Sequence, residues 1–377
     1  MTSELLNVEP AKPTHLRTAL YEAHKACGGK IVPFAGWELP VQYAGVKVET
    51  LAVREKCGMF DVGHMGQLDV SGEGVTEALN KVFSADWSKT RVGRASYGLL
   101  LNESGGIVDD VMGYRFAEDR WLVVVNASRV DVDEPLIRSL LPDTITVTNR
   151  RANQAMIAVQ GQEAEAILGQ VGGADLSDFN FRDVREIEIM GAPCVVARGG
   201  YTGCDGFEWM GDAQTAPLLW NALLDAGVVP CGLGARDVLR LEAGLPLYGH
   251  ELRENLTPFE SGVTFALKFD KGDFHGRASL AALASIPSAK TVRGIQMTGR
   301  GIAREGYAVT LGGESIGEIT SGTPSPTIDK NIALALLPRD LPLGSEVDVQ
   351  IRGTAHPAQI VALPFVPRST KPTAKSS

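Results

Sequence analysis

Apolar residues recur along the chain with two different spacings. Spacings of three and four residues predict helices at 14–26, 46–56, 75–83, 130–141 and 217–226. Runs rich in β-branched and aromatic residues predict strands at 121–126 and 155–161 and a hairpin over 184–197. Helices and strands are therefore mixed through the larger, earlier part of the chain.

The pattern changes after Ile286-Pro287-Ser288, which is the best candidate for a domain boundary. Short strands are predicted at 292–297, 307–311, 315–320, 332–336, 346–351 and 358–362. Gly312-Gly313 predicts a hairpin turn between two of them. A series of strands with almost no helical spacing indicates a small β-barrel or sandwich.

One stretch combines strand composition with two adjacent acids. Gly105-Gly106 predicts the tight turn of a β-hairpin whose second strand carries Asp109 and Asp110. Because strand side chains alternate between faces, one acid is expected to point to solvent and the other to the packed side. A carboxylate among apolar residues is costly unless it has a partner or a chemical role. The alternative is that both acids lie at a strand end in water.

The composition is that of a globular protein without a membrane segment. The 377 residues are 44% hydrophobic and 21% charged, and no apolar run approaches the roughly 18 residues that a bilayer span needs. This length predicts two or three domains. Residues 1–13 are predicted to be a disordered lead-in, and residues 368–377, rich in Ser, Thr and Lys, a disordered tail. A formal net charge of −9 argues against general binding to nucleic acid or to an anionic membrane.

Cysteine and histidine give no sign of a metal site. The five cysteines are widely spaced and fit neither a disulfide framework nor a zinc site, which predicts a reducing, cytoplasmic compartment. His64 has no ligand partner at metal-binding spacing. A hydrogen-bonded structural histidine is therefore favoured over a metal ligand or a proton carrier.

Two glycine-rich segments are candidates for ligand contact. The segment 199–206 lets the backbone approach a ligand closely and leads into a strand that carries Glu208. It has neither the dinucleotide-binding nor the P-loop spacing. Arg236 lies in a glycine-rich turn that leads into a helix, an arrangement that suits an anion. The alternative for Arg236 is an internal salt bridge with Asp237 or Glu242.

Several motifs, taken in order, resemble those of one family. They are Phe34-Ala35-Gly36-Trp37, Gly58-Met59-Phe60-Asp61-Val62 with His64-Met65, Gly105-Gly106-Ile107-Val108-Asp109-Asp110, Gly200-Tyr201-Thr202-Gly203 with Gly206-Phe207-Glu208, Gly232-Leu233-Gly234-Ala235-Arg236-Asp237 and Gly317-Glu318-Ile319-Thr320-Ser321-Gly322. The set resembles the aminomethyltransferases, the T-proteins of the glycine cleavage system, and covers nearly the whole chain. Each motif alone is weak, whereas all of them in this order are specific.

The resemblance implies an α+β fold with three domains around a central cavity for folate. Two interleaved α+β domains are implied for residues 14–285 and a C-terminal β-barrel for residues 290–367. Tetrahydrofolate is implied as the co-substrate, and neither a metal nor a nucleotide is required.

The implied reaction starts from an aminomethyl group on the dihydrolipoyl arm of a carrier, the lipoylated H-protein. The one-carbon unit passes to tetrahydrofolate, which gives 5,10-methylenetetrahydrofolate and releases ammonia. Because the transfer passes through or close to an iminium cation, a fixed carboxylate in a water-poor cavity suits this chemistry.

The resemblance also implies roles for individual residues. Asp110 takes the family's catalytic position, and Asp109 is then structural. Glu208 corresponds to the glutamate that holds the amino-pyrimidine edge of the pterin, where a carboxylate accepts two N–H bonds. The other implied folate contacts are Arg236, Tyr97, Met65 and Tyr201.

The chain departs from the family at Cys204, where members often have Glu, and at Gly63, where they often have Ser. Neither change removes an implied role. Two further functions are kept as alternatives. A tetrahydrofolate-dependent demethylase of the same superfamily shares the folate site, and a non-catalytic folate-binding iron–sulfur assembly factor does not share the motif at 199–203.

Overall fold

The computed structural model describes residues 15–285 and 288–370. Its α-helices, in chain order, are α1 (Tyr21–Ala26), α2 (Val46–Glu55), α3 (Val75–Val82), α4 (Val130–Leu140), α5 (Ala164–Gly172), α6 (Ala216–Asp225), α7 (Leu233–Glu242) and α8 (Arg277–Ala284). The strands are β1 (Leu16–Arg17), β2 (Lys30–Phe34), β3 (Trp37–Gln42), β4 (Gly58–Asp61), β5 (Gly66–Ser71), β6 (Arg94–Leu101), β7 (Ile107–Ala117), β8 (Arg120–Val125), β9 (Thr146–Asn149), β10 (Gln154–Gln160), β11 (Val184–Ile189), β12 (Ala192–Arg198), β13 (Gly206–Asp212), β14 (Val229–Pro230), β15 (Lys290–Met297), β16 (Ala308–Leu311), β17 (Glu314–Ser325), β18 (Lys330–Pro338), β19 (Glu346–Ile351) and β20 (Thr354–Val361). Within these ranges no helix is both long and apolar enough to span a bilayer.

The elements predicted from periodicity are present, with one clear difference near the start of the chain. The helix predicted over 14–26 begins only at Tyr21. Leu16 and Arg17 instead pair in parallel with β3, and the Leu16 N–H donates to the Gly36 carbonyl over 2.9 Å. The helical spacing of Leu16 was misleading because its side chain stays about half exposed, at 51%.

A five-stranded sheet is formed by consecutive parts of the chain, in the order β6-β7-β8-β5-β9. Helices α3 and α4 cover one of its faces. Leu79 of α3 and Ile137 of α4 share a fully buried core with Trp121 and Val123 of β8. Burial of such side chains contributes on the order of 2 kcal/mol each.

A six-stranded sheet combines an early strand with later ones, in the order β11-β12-β13-β10-β4-β14. β4 pairs antiparallel with β10 and parallel with β14, although the next strand in the chain, β5, belongs to the five-stranded sheet. The two sheets are therefore interleaved along the sequence, as the resemblance implied.

These two sheets pack against each other face to face. Leu122 and Val124 of β8 share one core with Met156 and Ala158 of β10. The intervening Val123 and Ile157 point into the separate cores on the outer faces. The period of two along each strand thus gives each sheet two packed faces, and the residues described below lie between the inner faces.

The last strands close into a six-stranded barrel in the order β15-β18-β17-β16-β19-β20. Buried ionic contacts attach the barrel to α7. Glu242, the last residue of α7, is fully buried and accepts hydrogen bonds from Arg54, Ser325 and Thr327. Because the six strands close on themselves, the C-terminal region is a barrel and not a sandwich. The fold of the chain is α+β.

The predicted chain ends and boundary fall partly outside the described residues. Residues 1–13, 371–377 and the boundary dipeptide Ile286-Pro287 lie outside them. Residues 368–370, the first three of the predicted tail, lie within the described part of the chain. Arg368 donates to the Ala243 carbonyl over 3.1 Å, and the Ser369 N–H donates to the Gly203 carbonyl over 2.8 Å.

Candidate active site

Asp109 and Asp110 lie near the start of β7, the second strand of the five-stranded sheet, and point to opposite faces. The alternation along β7 places Asp109 with Val111, on the face covered by α4, and Asp109 is fully buried. Asp110 is partly exposed and lies on the inner face together with Met112. The predicted alternation is therefore correct, and the alternative that places both acids in water is wrong.

A single asparagine binds both acids. The side-chain nitrogen Nδ2 of Asn126 donates to Oδ1 of Asp110 over 2.9 Å and to Oδ1 of Asp109 over 2.8 Å. The Asn126 backbone N–H donates to Oδ2 of Asp109 over 2.9 Å. Asn126 immediately follows β8, the neighbour of β7 in the sheet, so the pairing of the two strands fixes this contact.

The environment of Asp110 is suited to proton transfer. Burial, and then the charge of Asp109, raise the pKa of Asp110 to about 7. The Tyr97 hydroxyl, which has no partner of standard hydrogen-bond geometry, faces this carboxyl from β6. Contacts with Tyr97 and Asn126 limit the rise in the pKa. Asp110 therefore changes charge close to neutral pH, as a general acid or base requires.

Glu208 lies on the opposite wall, in β13 of the six-stranded sheet. It pairs with Ala158 of β10, and its Oε2 accepts a hydrogen bond from the Tyr114 hydroxyl over 3.1 Å. Burial raises the pKa of Glu208, while the charge of Arg236 and the bond from Tyr114 oppose that rise. The carboxylate keeps acceptor capacity beyond the single bond from Tyr114.

Arg236 lies in the first turn of α7 and faces the same space. Its guanidinium stacks over the Tyr201 ring at 4.8 Å, and its Nη1 is buried without a hydrogen-bond partner. The salt bridge considered as an alternative is not formed, because Asp237 pairs with Arg240 and Glu242 with Arg54. A buried, unpaired guanidinium N–H is costly unless a ligand accepts from it.

The remaining predicted site residues border the same space. Tyr201 bonds through its hydroxyl to the Pro246 carbonyl and lies close enough to Asp110 for that charge to affect its pKa. Met65 follows β4 and packs, partly buried, in the inner-face core with Met112. Pairwise neighbours thus connect Tyr97, Asp110, Tyr201, Arg236 and Glu208 in that order, and Met65 packs against the same inner-face core.

His64 is a buried neutral side chain. Burial lowers its pKa to about 4, and the nearby positive charges of Arg236 and Arg151 contribute in the same direction. Its ring packs edge-on against Phe34 at 5.8 Å, and its Nδ1 has no hydrogen-bond partner. The structural assignment fits, but the hydrogen bond expected at the ring is not found at Nδ1. Across residues 15–285 and 288–370, no cluster of three or more His, Cys, Asp and Glu is arranged to hold a metal.

Sequence reasoning missed three residues around the acids. Asn126 and Tyr114 have no distinguishing motif, since an amide after a strand and a tyrosine within one are common. Asp133 lies near the start of α4, where an acid normally stabilises the helix dipole at the surface. In the structure Asp133 is instead fully buried.

Comparison with known proteins gives one consistent result. Residues 20–271 match the family profile described as the GCVT N-terminal domain, and residues 290–367 match the glycine cleavage T-protein C-terminal barrel domain. The chain is 44% identical over 362 residues to an aminomethyltransferase of Symbiobacterium thermophilum, covering 93% of this chain and 96% of the relative. It is 45% identical over 363 residues to an aminomethyltransferase of Rubrobacter xylanophilus, covering 96% and 97%.

A solved structure has the same fold over almost the full length. The glycine cleavage system aminomethyltransferase T from Bartonella henselae superposes with a TM-score of 0.90 at 31% sequence identity. The match covers 94% of this chain and 99% of that one. Both sheets and the barrel are therefore included in the likeness.

Proposed function

Because the chain belongs to the glycine cleavage T-protein family, we propose that the space between its two sheets binds tetrahydrofolate and that Asp110 acts on the transferred one-carbon unit. The chain is an aminomethyltransferase of the glycine cleavage system. The donor in this proposal is the aminomethylated dihydrolipoyl arm of the H-protein. The products are 5,10-methylenetetrahydrofolate and ammonia.

One observation carries the assignment of roles. Asp110 is a partly exposed carboxyl with a pKa near 7, and Tyr201 lies close enough to feel the charges of both Asp110 and Arg236, while Arg236 in turn faces Glu208 on the other wall. A carboxylate at that position stabilises positive charge that develops on the transferred carbon. The same group accepts a proton from the attacking nitrogen, since its pKa is close to the working pH.

The opposite wall fits the polar edge of a pterin. Glu208 has free acceptor capacity for the two N–H groups of an amino-pyrimidine, and Arg236 has an unpartnered buried N–H for a ring carbonyl or carboxylate. Tyr201 and Met65 supply an aromatic face and an apolar wall. Tetrahydrofolate, when bound there, supplies the nucleophilic nitrogen that receives the carbon.

The proposal also covers the division of the chain into regions and its cellular location. Residues 14–285 form the folate-binding region of interleaved sheets, and residues 290–367 form the barrel that supports it. A cytoplasmic location is proposed because Cys27, Cys57, Cys194, Cys204 and Cys231 are all unpaired.

The decisive experiment measures ammonia release with purified protein, tetrahydrofolate and aminomethylated H-protein. Ammonia that requires both partners supports the proposal. Folate binding without ammonia release would transfer the assignment to the demethylase alternative, and absence of folate binding would overturn the site itself.

The pH dependence of the reaction follows from Asp110. Its folded pKa is raised to about 7, so the ionised form that accepts a proton is lost as the pH falls below that value. We expect kcat/KM for tetrahydrofolate to rise with pH and level off above about pH 8, since a base works in its deprotonated form. Ammonia release measured across this range checks the profile, with Asp119→Asn, an exposed acid in the turn after β7, as the control. A flat profile would contradict the assignment of Asp110 as the base.

Removal of Glu208 should weaken folate binding before it affects chemistry. Glu208→Ala is expected to raise the Kd for tetrahydrofolate about 10- to 100-fold, because two charge-assisted hydrogen bonds are lost. Titration calorimetry measures this change. Glu188→Ala, an exposed acid of β11 outside the site, is the matched control and should leave the Kd unchanged. An unchanged Kd for Glu208→Ala would place the pterin elsewhere.

A further inference from the structure

A buried pair of acids lies directly beneath Asp110, on the far side of the five-stranded sheet. Asp133 projects from α4, and its carboxyl lies close enough to that of Asp109 for a hydrogen bond between them once one of the two is protonated. Both side chains are fully buried. Neither oxygen of Asp133 receives a hydrogen bond from an N–H or O–H group. Two carboxylates in contact inside a protein cannot both be ionised, so this pair holds a proton.

The hydrogen-bond donors around the pair decide which acid holds the proton. Asp109 receives two N–H bonds from Asn126, one on each oxygen, at 2.9 and 2.8 Å. Asp133 receives none. The nearest cation, Arg129, is directed elsewhere, to the Val108 carbonyl and to Glu254. Donors favour the ionised form of the acid that they contact, so Asp109 is the carboxylate and Asp133 the neutral acid.

We propose that Asp133 is a positioning residue for the transfer reaction: it keeps a proton, donates its O–H in a hydrogen bond to the Asp109 carboxylate and so holds that carboxylate charged and fixed directly behind Asp110. The inference rests on the proposed role of Asp110. The link to Asp110 is short, because Asp109 is its neighbour in β7 and both acids accept hydrogen bonds from the same Nδ2 of Asn126. The Asp109 carboxylate, held in a fixed position, orients the Asn126 amide toward Asp110.

The surrounding charges agree with this arrangement. The titratable or charged side chains that face the three acids from neighbouring elements are Tyr97 of β6, Tyr201, Tyr248 and Arg129. Burial and the charge of Asp109 raise the pKa of Asp133 to about 10. Burial raises the pKa of Asp109, and hydrogen bonds from Asp133 and Asn126 partly offset that rise. The same Asp109 charge contributes to the raised pKa of Asp110.

Infrared spectroscopy tests the proton directly and needs no activity. At about pH 8.5, above the pKa of Asp110 and below that of Asp133, the folded protein should show the C=O stretching band of a protonated carboxylic acid. We expect Asp133→Asn to lose this band and Asp110→Asn to keep it. A band that persists in folded Asp133→Asn overturns the proposal. Asp109→Asn provides a second variant, because its amide would donate to Asp133, ionise it and remove the band as well.

Kinetics separate positioning from simple packing. Asp133→Asn still donates an N–H to Asp109 and leaves the charge of the pair unchanged, so it should retain wild-type kcat and the inflection near pH 7. Asp133→Ala removes the donor and should lower kcat about tenfold with an unchanged KM for tetrahydrofolate. A wild-type kcat in Asp133→Ala overturns the proposal. So does a pH–rate profile of Asp133→Asn whose inflection lies about one pH unit lower than in the wild type, because that shift would mean that Asp133 is ionised in the wild-type protein.

Different results would contradict the proposed role of Asp110 and the proposed proton on Asp133. If Asp110→Asn retained turnover, the proposed role of Asp110 would be wrong, while the infrared band would still report the proton on Asp133. If the band is absent from the wild-type protein, the acid pair is wrong and the role of Asp110 is untouched.

Discussion

Replacement of Asp110 by asparagine is expected to lower the rate of ammonia release on the order of a thousandfold, since the variant loses both a general base and a charge next to the transferred carbon. Asparagine has nearly the same shape and keeps an oxygen that can accept from Asn126, as Oδ1 of Asp110 does over 2.9 Å. Neither Glu208 nor Arg236 is altered. The Kd for tetrahydrofolate should therefore stay within about threefold of wild type.

Single-turnover ammonia release and titration calorimetry on the same protein samples measure the two quantities. Asp119→Asn makes the same chemical change at an exposed position in the turn between β7 and β8, and it should leave the rate of ammonia release and the Kd unchanged. Near-normal release by Asp110→Asn would show that the acid on the inner face is not the catalytic one. A parallel loss of folate affinity would instead point to a binding role.

The largest effect on stability is expected at Glu242, the buried acid between α7 and the barrel. Its Oε2 accepts from Nε and Nη2 of Arg54 over 2.9 and 2.8 Å and from Thr327 over 2.9 Å, while Oε1 accepts from Ser325. Glu242→Ala leaves the Arg54 guanidinium buried without its counter-charge. Breaking a buried pair in this way costs about 3–5 kcal/mol.

Urea denaturation of the full chain measures this loss as a lower midpoint. Glu242→Gln keeps the shape and part of the hydrogen bonding and should lose less. Glu346→Ala, an exposed acid at the start of β19, is the barrel control and should change the free energy of unfolding by less than about 0.5 kcal/mol. A loss below about 1 kcal/mol for Glu242→Ala would mean that water replaces the missing carboxylate.

Local features of the fold and the site were predictable because they depend on short-range rules. The period of two along a strand required Asp109 and Asp110 to separate, and the structure places them on opposite faces of β7. Apolar spacing located α2 to within one residue, over Val46–Glu55. The barrel strands followed from composition and from turns such as Gly312-Gly313.

Features that depend on distant pairing could not be obtained in this way. Glu242 meets Arg54 across 188 residues of sequence, and nothing near either residue indicates the other. Arg236 was equally consistent with a salt bridge until Asp237 proved to be paired with Arg240. Asp133 resembles an ordinary acid at a helix start, and only the packing of α4 on the sheet shows that it is buried.

The separation of β4 from β5 has a consequence for how the chain is made. During synthesis β4 leaves the ribosome long before β10 and β14, the two strands that flank it, exist. The strands of the five-stranded sheet are complete earlier, since they follow one another without interruption. Until the later strands of the six-stranded sheet are synthesised, β4, which carries the apolar residues Met59 and Phe60, has no strand partner on either side. A nascent chain arrested near residue 150 therefore exposes an unpaired apolar strand, which is the kind of site that chaperones bind.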